Sequence, residues 1–464
     1  MLNWQIEMDS SRRSVIRDQQ IVSQDVDGYA LYLVMLLLLV IGFLASIAFR
    51  QASITRQLAA QHSHKIQAHY LAQSGIARAE YFLSGGDGHD LAWHTEKLEE
   101  QLDLDRKITI SCEPFGLYSR IKSIGRYRNK KSEIYALAGR TPLKELEPTI
   151  TLTGGIQGLG LFADASLQGP VVLDHGNVVR WPRQSRIPGL DKATTQKKSP
   201  PLPFDRQKID DLFTSCSLSI HRAAGDTSAI GRDFTVTNES LKKLRSNTIS
   251  ILGKCEIAAV KLKQRTIIAQ GKLTIASARA SLSGCKLLGE SIEIRAGYSD
   301  KCLFFSQGTI DIEHGTHNSQ FVAVDTIFAG KDVEWEWMSL WLSRHSLTPD
   351  SAQQGGIVFE SNGAYNGIAL AISDSVPKHD NKLRGPSITL RNGATFNGIA
   401  ISDGDIELQP SRVSGNLYAE HVAGKREGGT VVNTLFGTSI RRSQTVTTFP
   451  LLGKGRVEIR LNGF

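Results

Sequence analysis

The residues able to do chemistry are few and scattered. Four carboxylates of the second half, Asp311, Asp325, Asp403 and Asp405, are the candidates for acid–base work. Paired carboxylates on one face are what polysaccharide cleavage requires. Asp403-Gly-Asp405 reads as a turn, with oxygen donors of the type calcium takes. Asp311 alternates with isoleucines, which directs it to solvent. His62 and His64 are two apart on a helical stretch, so they lie on different faces and make a poor metal site. Asp174-His175 has no visible nucleophile partner. No GxSxG, HExxH or phosphate loop occurs. The five cysteines contain no CxxC. Of these, Cys255, Cys285 and Cys302 are spaced so that two could stack in adjacent repeats, where a cysteine usually serves as a small core hydrophobe. The expectation is a protein without catalysis, metal or cofactor.

One stretch stands out for recognition. Residues 333–342 (VEWEWMSLWL) hold three of the six tryptophans. Trp335 and Trp337 share one strand face, with Glu334 and Glu336 on the other. Trp335, Trp337 and Trp341 are therefore candidates for an aromatic surface that meets a sugar or a partner protein. The competing expectation is a segment that closes a core.

The elements that must carry these residues follow from composition and periodicity. The chain has 464 residues, 41% hydrophobic and 22% charged, with a net charge of +8. That excludes a disordered, collagen-like or disulfide-dense chain. No long basic run appears, so no nucleic-acid partner is expected. Residues 28–49 (GYALYLVMLLLLVIGFLASIAF) carry no charge over 22 positions. At about 1.5 Å per residue this is about 33 Å of helix, enough for a hydrocarbon core of about 30 Å. A single-pass membrane anchor is expected. Charges on the two sides are balanced, Arg12, Arg13 and Arg17 against Arg50, Arg56 and Lys65, so they set no orientation. No proline interrupts residues 29–83. Ala68, Ala72, Gly75, Ala79 and Phe82 recur at helical spacing and form a narrow stripe of mostly small residues for packing. Ser84-Gly85-Gly86 ends the helix. Beyond it, residues 91–104 read as a second short helix. Residues 107–112, 117–127 and 132–140 read as strands of a meander.

A small residue, then an apolar span that would open a mature chain, then an arginine-studded helix closing on residues 70–79 (YLAQSGIARA), resembles the type IV pilin superfamily. It is most similar there to PilX-like minor pilins and to K-class minor pseudopilins of type II secretion. The resemblance covers roughly residues 20–140. It implies prepilin-peptidase cleavage between Gly28 and Tyr29, with residues 1–28 a cytoplasmic leader. Asp25 and Asp27 stand where such leaders usually carry basic residues. It also places Leu33 at the fifth mature position, where major pilins have a glutamate that pairs with a neighbour's terminal amine. K-class tip subunits lack that glutamate, and a carboxylate inside the membrane needs a partner.

The remainder is repetitive. Segments 253–257 (GKCEI), 271–275 (GKLTI), 290–294 (ESIEI) and 308–312 (GTIDI) end on isoleucines 18 or 19 apart. Segments 386–390 (PSITL) and 404–408 (GDIEL) repeat at 18, and 455–459 (GRVEI) closes the series. Each is a turn residue followed by apolar–polar–apolar alternation. A second strand precedes several copies, at 266–269, 286–288 and 303–305. Residues 362–369 (NGAYNGIA) and 392–400 (NGATFNGIA) repeat at 30–31. Rungs of about 18 residues with two or three strands suit a β-solenoid. The alternative is a β-sandwich.

The expected fold class is an α+β pilin-like region with a long membrane-anchored helix, followed by a large all-β solenoid (β-helix). The expected division is 1–28 leader, 29–84 membrane and pilin-like helix, 85–147 small α+β domain and 148–464 solenoid. A proline-rich excursion occupies 182–203, and the solenoid has a possible start at 149–172. The expected role is a minor pilin or pseudopilin-like subunit acting in priming, tip display or adhesion. Its expected partners are other pilin or pseudopilin subunits, the inner membrane and a surface polysaccharide or secreted protein, with the bulk of the chain periplasmic or extracellular. The alternative is a membrane-tethered β-helix that binds or cleaves polysaccharide.

Overall fold

A computed structural model describes residues 3–84, 97–141, 146–154, 158–162, 164–181, 193–195, 203–223, 230–231, 233–244, 246–336, 339–345, 356–373, 386–426, 429–442 and 457–461. Its long apolar helix is followed by a large all-β region. The chain divides into two units. One comprises residues 1–75, 99–109 and 123–134; the other comprises 76–98, 110–122 and 135–464.

Helix α1, Asn3–Ser84, runs 82 residues and passes through Gly28 and Tyr29 without a break. Within the first unit its lower part packs through the expected small residues. Ala68 and Ala72 are fully buried. A Cβ on Gly125 would sit 2.1 Å from the Ala68 carbonyl, and one on Gly75 would sit 2.1 Å from Ser123 Oγ. Glycine at 75 and 125 thus lets backbone and sheet approach to contact distance. Arg128 ties this unit together, with Nε 3.0 Å from Asp105 Oδ2 and Nη1 3.2 Å from His64 Nε2.

The strands after the helix form one five-stranded sheet in the order Lys97–Gln101, Arg106–Phe115, Tyr118–Tyr127, Lys130–Arg140, Val457–Leu461. Two expectations are corrected here. The short helix placed at 91–104 is a strand at 97–101, with the residues before it outside the described residues. Edge pairing overrides the local helical pattern there, since strand propensity depends on context. The closing repeat at 455–459 does not join the stack. Val457–Leu461 pairs antiparallel with the last meander strand, Val457 opposite Arg140 and Leu461 opposite Ala136. Its alternation fits any half-buried strand, so the pattern alone could not choose the sheet.

In the second unit the strands pair in parallel ladders. The first holds the recognised motifs in register: Ile257 opposite Ile275, Ile275 opposite Ile294, Ile294 opposite Ile312, and Leu390 opposite Leu408. A copy missed in the sequence, Ile327–Trp335, lies between them, with Ile327 opposite Ile310 and then Ile357. The second ladder runs through Thr266–Ala269, Lys286–Gly289 and the paired segments Leu303–Ser306 and Gln320–Ala323. The third ladder includes Lys261–Lys263 and Ser281–Ser283. The Asn-Gly repeat is in register, with Asn366 opposite Asn397 and Gly367 opposite Gly398. Asn397 Nδ2 donates to Asn366 Oδ1 at 2.9 Å. A Cβ on Gly398 would meet the Gly367 carbonyl at 1.8 Å, and φ there is +149°, so glycine is required by space and by conformation.

The segment from residue 149 enters this stack and winds onward, Ile150–Leu152 pairing in parallel with Val171–Leu173, but it does so on strands from the far end of the sequence. Ile150–Leu152 pairs with Leu417–Ala419, and Ser166–Gln168 pairs with Ser439–Arg441. The segment expected as a start therefore joins the end made by residues 412–441. Helix α2, Arg206–Ala223, carries the chain back along the second ladder. Arg206 donates to the Ser373 carbonyl, and Phe213 packs edge-on against Phe305 at 5.8 Å. Farther on, His221 lies 3.5 Å from Gln307 Nε2. Of the proline-rich excursion, residues 193–195 form a strand on Val171–Leu173. Residues 182–192 and 196–202 lie outside the described residues.

Two cores result. The inner one is enclosed by the ladders and includes Cys255, Leu273, Phe304, Ile310, Trp341 and Phe396. The outer one lies between α2 and the outward residues of the second ladder, among them Ile268, Leu288, Phe305, Val322 and Leu342. Second-ladder strands are thus apolar on both faces and read as continuous runs.

Candidate functional site

The carboxylates do not converge. Asp311 is exposed, facing outward between Ile310 and Ile312, as its alternation predicts. Partial desolvation against the sheet face, then the neighbouring Glu313, Glu293 and Glu360, push its carboxyl pKa up. Asp325 Oδ1 accepts from Thr326 Oγ1 at 3.0 Å. Asp403 is buried and accepts the Ser373 amide on both oxygens at 2.9 Å, with Arg206 Nη1 at 3.7 Å. Asp405 is paired with His421, Oδ1 to Nδ1 at 2.9 Å, and both side chains are buried. Internal donors thus take up the turn carboxylates that sequence reasoning offered to calcium. Among the described residues no group of three or more His, Cys, Asp or Glu could hold a metal. His64 packs edge-on against Tyr127, and His175 Nδ1 lies 3.2 Å from Oδ2 of its neighbour Asp174.

The tryptophan surface is corrected. Trp335 is 3% exposed and Trp341 is fully buried. They meet at 4.9 Å, and Trp341 packs on Phe359 at 5.1 Å, inside the inner core. Trp337 lies outside the described residues. The stretch follows the competing expectation: burying two indoles outweighs presenting them to water.

An aromatic row with one exposed end does exist where the sequence analysis missed it, its two phenylalanines half-buried. Phe436, Phe162 and Trp181 are in register across the three parallel strands Thr434–Phe436, Leu159–Phe162 and Val178–Trp181. Phe162 lies 5.3 Å from Phe436 and is nearly parallel to Trp181 at 6.1 Å. Trp181 is 45% exposed. Each strand ends on its aromatic residue, which was the available signal. Phe162 and Trp181 lie on directly paired neighbouring strands, whereas Phe436 is far off in sequence and joins them only through the return of the chain onto residues 412–441.

A buried polar relay crosses the inner core. The Cys285 amide donates to Cys302 Sγ at 3.4 Å, and the Cys302 amide donates to Ser319 Oγ at 3.1 Å. Ser319 donates to Ser299 Oγ at 3.0 Å, which is 2.9 Å from His317 Nδ1. His317 Nε2 faces the His314 carbonyl at 3.2 Å. A neutral imidazole with its proton on Nε2 satisfies this order, Nδ1 accepting the Ser299 hydroxyl. Burial agrees, lowering the His317 pKa to about 4. With its nitrogens engaged and no exposure, His317 holds structure rather than substrate.

The largest exposed feature is α1 itself. Between Tyr29 and Phe49 its apolar side chains face outward, Tyr29 and Leu33 among them, one turn apart. By length and composition Tyr29–Leu83 can cross a membrane.

No family model matches the chain, and no curated protein matches it. Among solved structures the chain is similar to the crystal structure of the competence-associated pilin ComZ from Thermus thermophilus, at 11% identity and a TM-score of 0.21. The likeness covers 86% of this chain and 98% of that chain. At that TM-score it carries no argument about fold or role.

Proposed function

We propose that the protein is a non-catalytic, membrane-anchored structural subunit of a pilin-like assembly, a minor pilin or pseudopilin that displays a β-solenoid outside the membrane. The observation that carries this reading is the outward-facing apolar stretch of α1, residues 29–49, which no part of the chain covers among the described residues. Such a surface is satisfied by lipid or by like helices. The packing of Ala68, Ala72 and Gly75 on the meander supports a helix that is half anchor and half domain core. Repeated parallel pairing at about one rung supports the solenoid. Its inner core and α2 cover suit a rigid arm. In this reading Leu33 leaves the neighbour's terminal amine unpaired, which fits a tip or low-copy place. The partners are other pilin or pseudopilin subunits in the inner membrane. N-terminal sequencing of the membrane-extracted chain tests the reading: a start at Tyr29, with co-purified pilin subunits, supports it, and an intact leader with no such partner contradicts it.

A second reading, a membrane-tethered polysaccharide-binding protein, draws on the row Phe436–Phe162–Trp181, exposed at Trp181. Aromatic faces in line suit sugar stacking. Glycan-array binding that is lost in W181A, with no pilin partner, would favour it.

A further inference from the structure

We propose that Cys285 and Cys302 are a disulfide site that ties two successive rungs together. The two cysteines occupy the same corner of adjacent rungs. Each follows a residue with left-handed backbone, Gly284 at φ 61° and Lys301 at φ 51°, and Gln264 at φ 52° takes that place one rung earlier. The residues that follow them, Lys286 and Leu303, are register partners, and the Leu303 amide donates to the Cys285 carbonyl at 2.9 Å. Neighbours in a parallel sheet are about 4.8 Å apart, within the Cα separation of roughly 4.4–6.8 Å that disulfides span. The side chains also point alike: Cys285 Sγ donates to the Ser283 carbonyl at 3.5 Å and Cys302 Sγ to the Asp300 carbonyl at 3.4 Å.

The remaining cysteines behave differently. Burial pushes the Cys255 thiol pKa up to about 12 and that of Cys112 to about 11. Burial raises Cys216 as well. Cys285 alone is lowered, chiefly by its hydrogen bond to Cys302, while burial raises Cys302.

The step balances with a disulfide-bearing oxidant. The Cys285 thiolate attacks one sulfur of that disulfide and releases the other as a thiol. The Cys302 thiolate then attacks the mixed disulfide at Cys285 and releases the second thiol. Two cysteine thiols are oxidised, the oxidant's disulfide is reduced, and the two protons end on the released thiols. Both sulfurs are buried in the finished core, so the bond forms while the rungs close. Its formation in the cell rests on the proposed placement of this domain outside the membrane, where disulfides persist.

Trypsin separates the two cysteines, leaving Cys285 in residues 280–286 and Cys302 in residues 302–331. The full chain would be synthesised cell-free into lipid nanodiscs with oxidised and reduced glutathione, denatured with alkylating agent and digested. The expected result is one linked peptide pair, two hydrogens lighter than the free pair and split by reductant. C302S, which keeps an acceptor for the Cys285 amide, loses the linked pair while the chain still folds. Free thiols at both positions, or linkage to any other of the five cysteines, overturns the proposal. The same digest on membrane-extracted protein separates the two claims. Free thiols there, with linkage in the glutathione sample, contradict the outward placement and leave the site standing.

Discussion

His317 shows how a single residue couples the inner core to pH. Its neutral form completes the relay through Ser299 and Ser319. Burial lowers its pKa from 6.5 to about 4. A base depressed in the folded state is protonated first in the unfolded chain. Its contribution is therefore full above pH 6.5 and is lost as pH falls towards 4. At about 1.4 kcal/mol per unit the loss reaches up to ~3 kcal/mol. Urea midpoints measured between pH 7 and 4 should fall in the wild-type chain and fall less in H317N. Equal slopes in both proteins would remove His317 as the cause. At the same scale, the buried tryptophans show what residue types alone leave open. Trp335 and Trp341 read equally well as a platform or a core, and only the rungs stacked around them decide.

At the scale of elements, α2 and the α1–meander contact are the joints most open to test. Phe213 is buried between Phe305 and the Arg344 guanidinium, 5.7 Å from its ring. F213A should cost about 3–5 kcal/mol and deprotect α2 amides in hydrogen exchange before those of the ladders. Simultaneous exchange would show that the helix and the stack open as one. Gly125 lies against the α1 backbone at Ala68 and Ala72. G125V has no room for its side chain and should release this stretch of α1, seen as new proteolysis near residues 65–75. An unchanged digestion pattern would contradict the contact.

Much of this level was legible in the sequence. The isoleucine spacing gave the first ladder its register because a residue that faces the inner core one rung along must also be apolar. The second ladder was harder to read, since Phe304 and Phe305 face two different cores and leave no alternation. The strand at 97–101 and the last strand, Val457–Leu461, escaped because pairing, rather than local pattern, assigns them.

Across the whole molecule, the hidden feature is the route of the chain. Residues 150–168 stack on residues 417–441, so pairs more than 250 residues apart in sequence, such as Leu152 with Ala419, close one end. No periodicity announces that return. It brings Phe436 beside the pair Phe162 and Trp181 and decides which ladder the early strands extend. The apolar stretch of α1 was the most legible feature, because an uncharged run of 22 residues is costly to leave in water and long enough to cross lipid. Liposome flotation of the full chain beside a variant lacking residues 29–49 tests this most directly. The account predicts that the full chain rises with the vesicles after an alkaline carbonate wash, and that the variant stays at the bottom as a folded, β-rich protein. A full chain left at the bottom without detergent would contradict it.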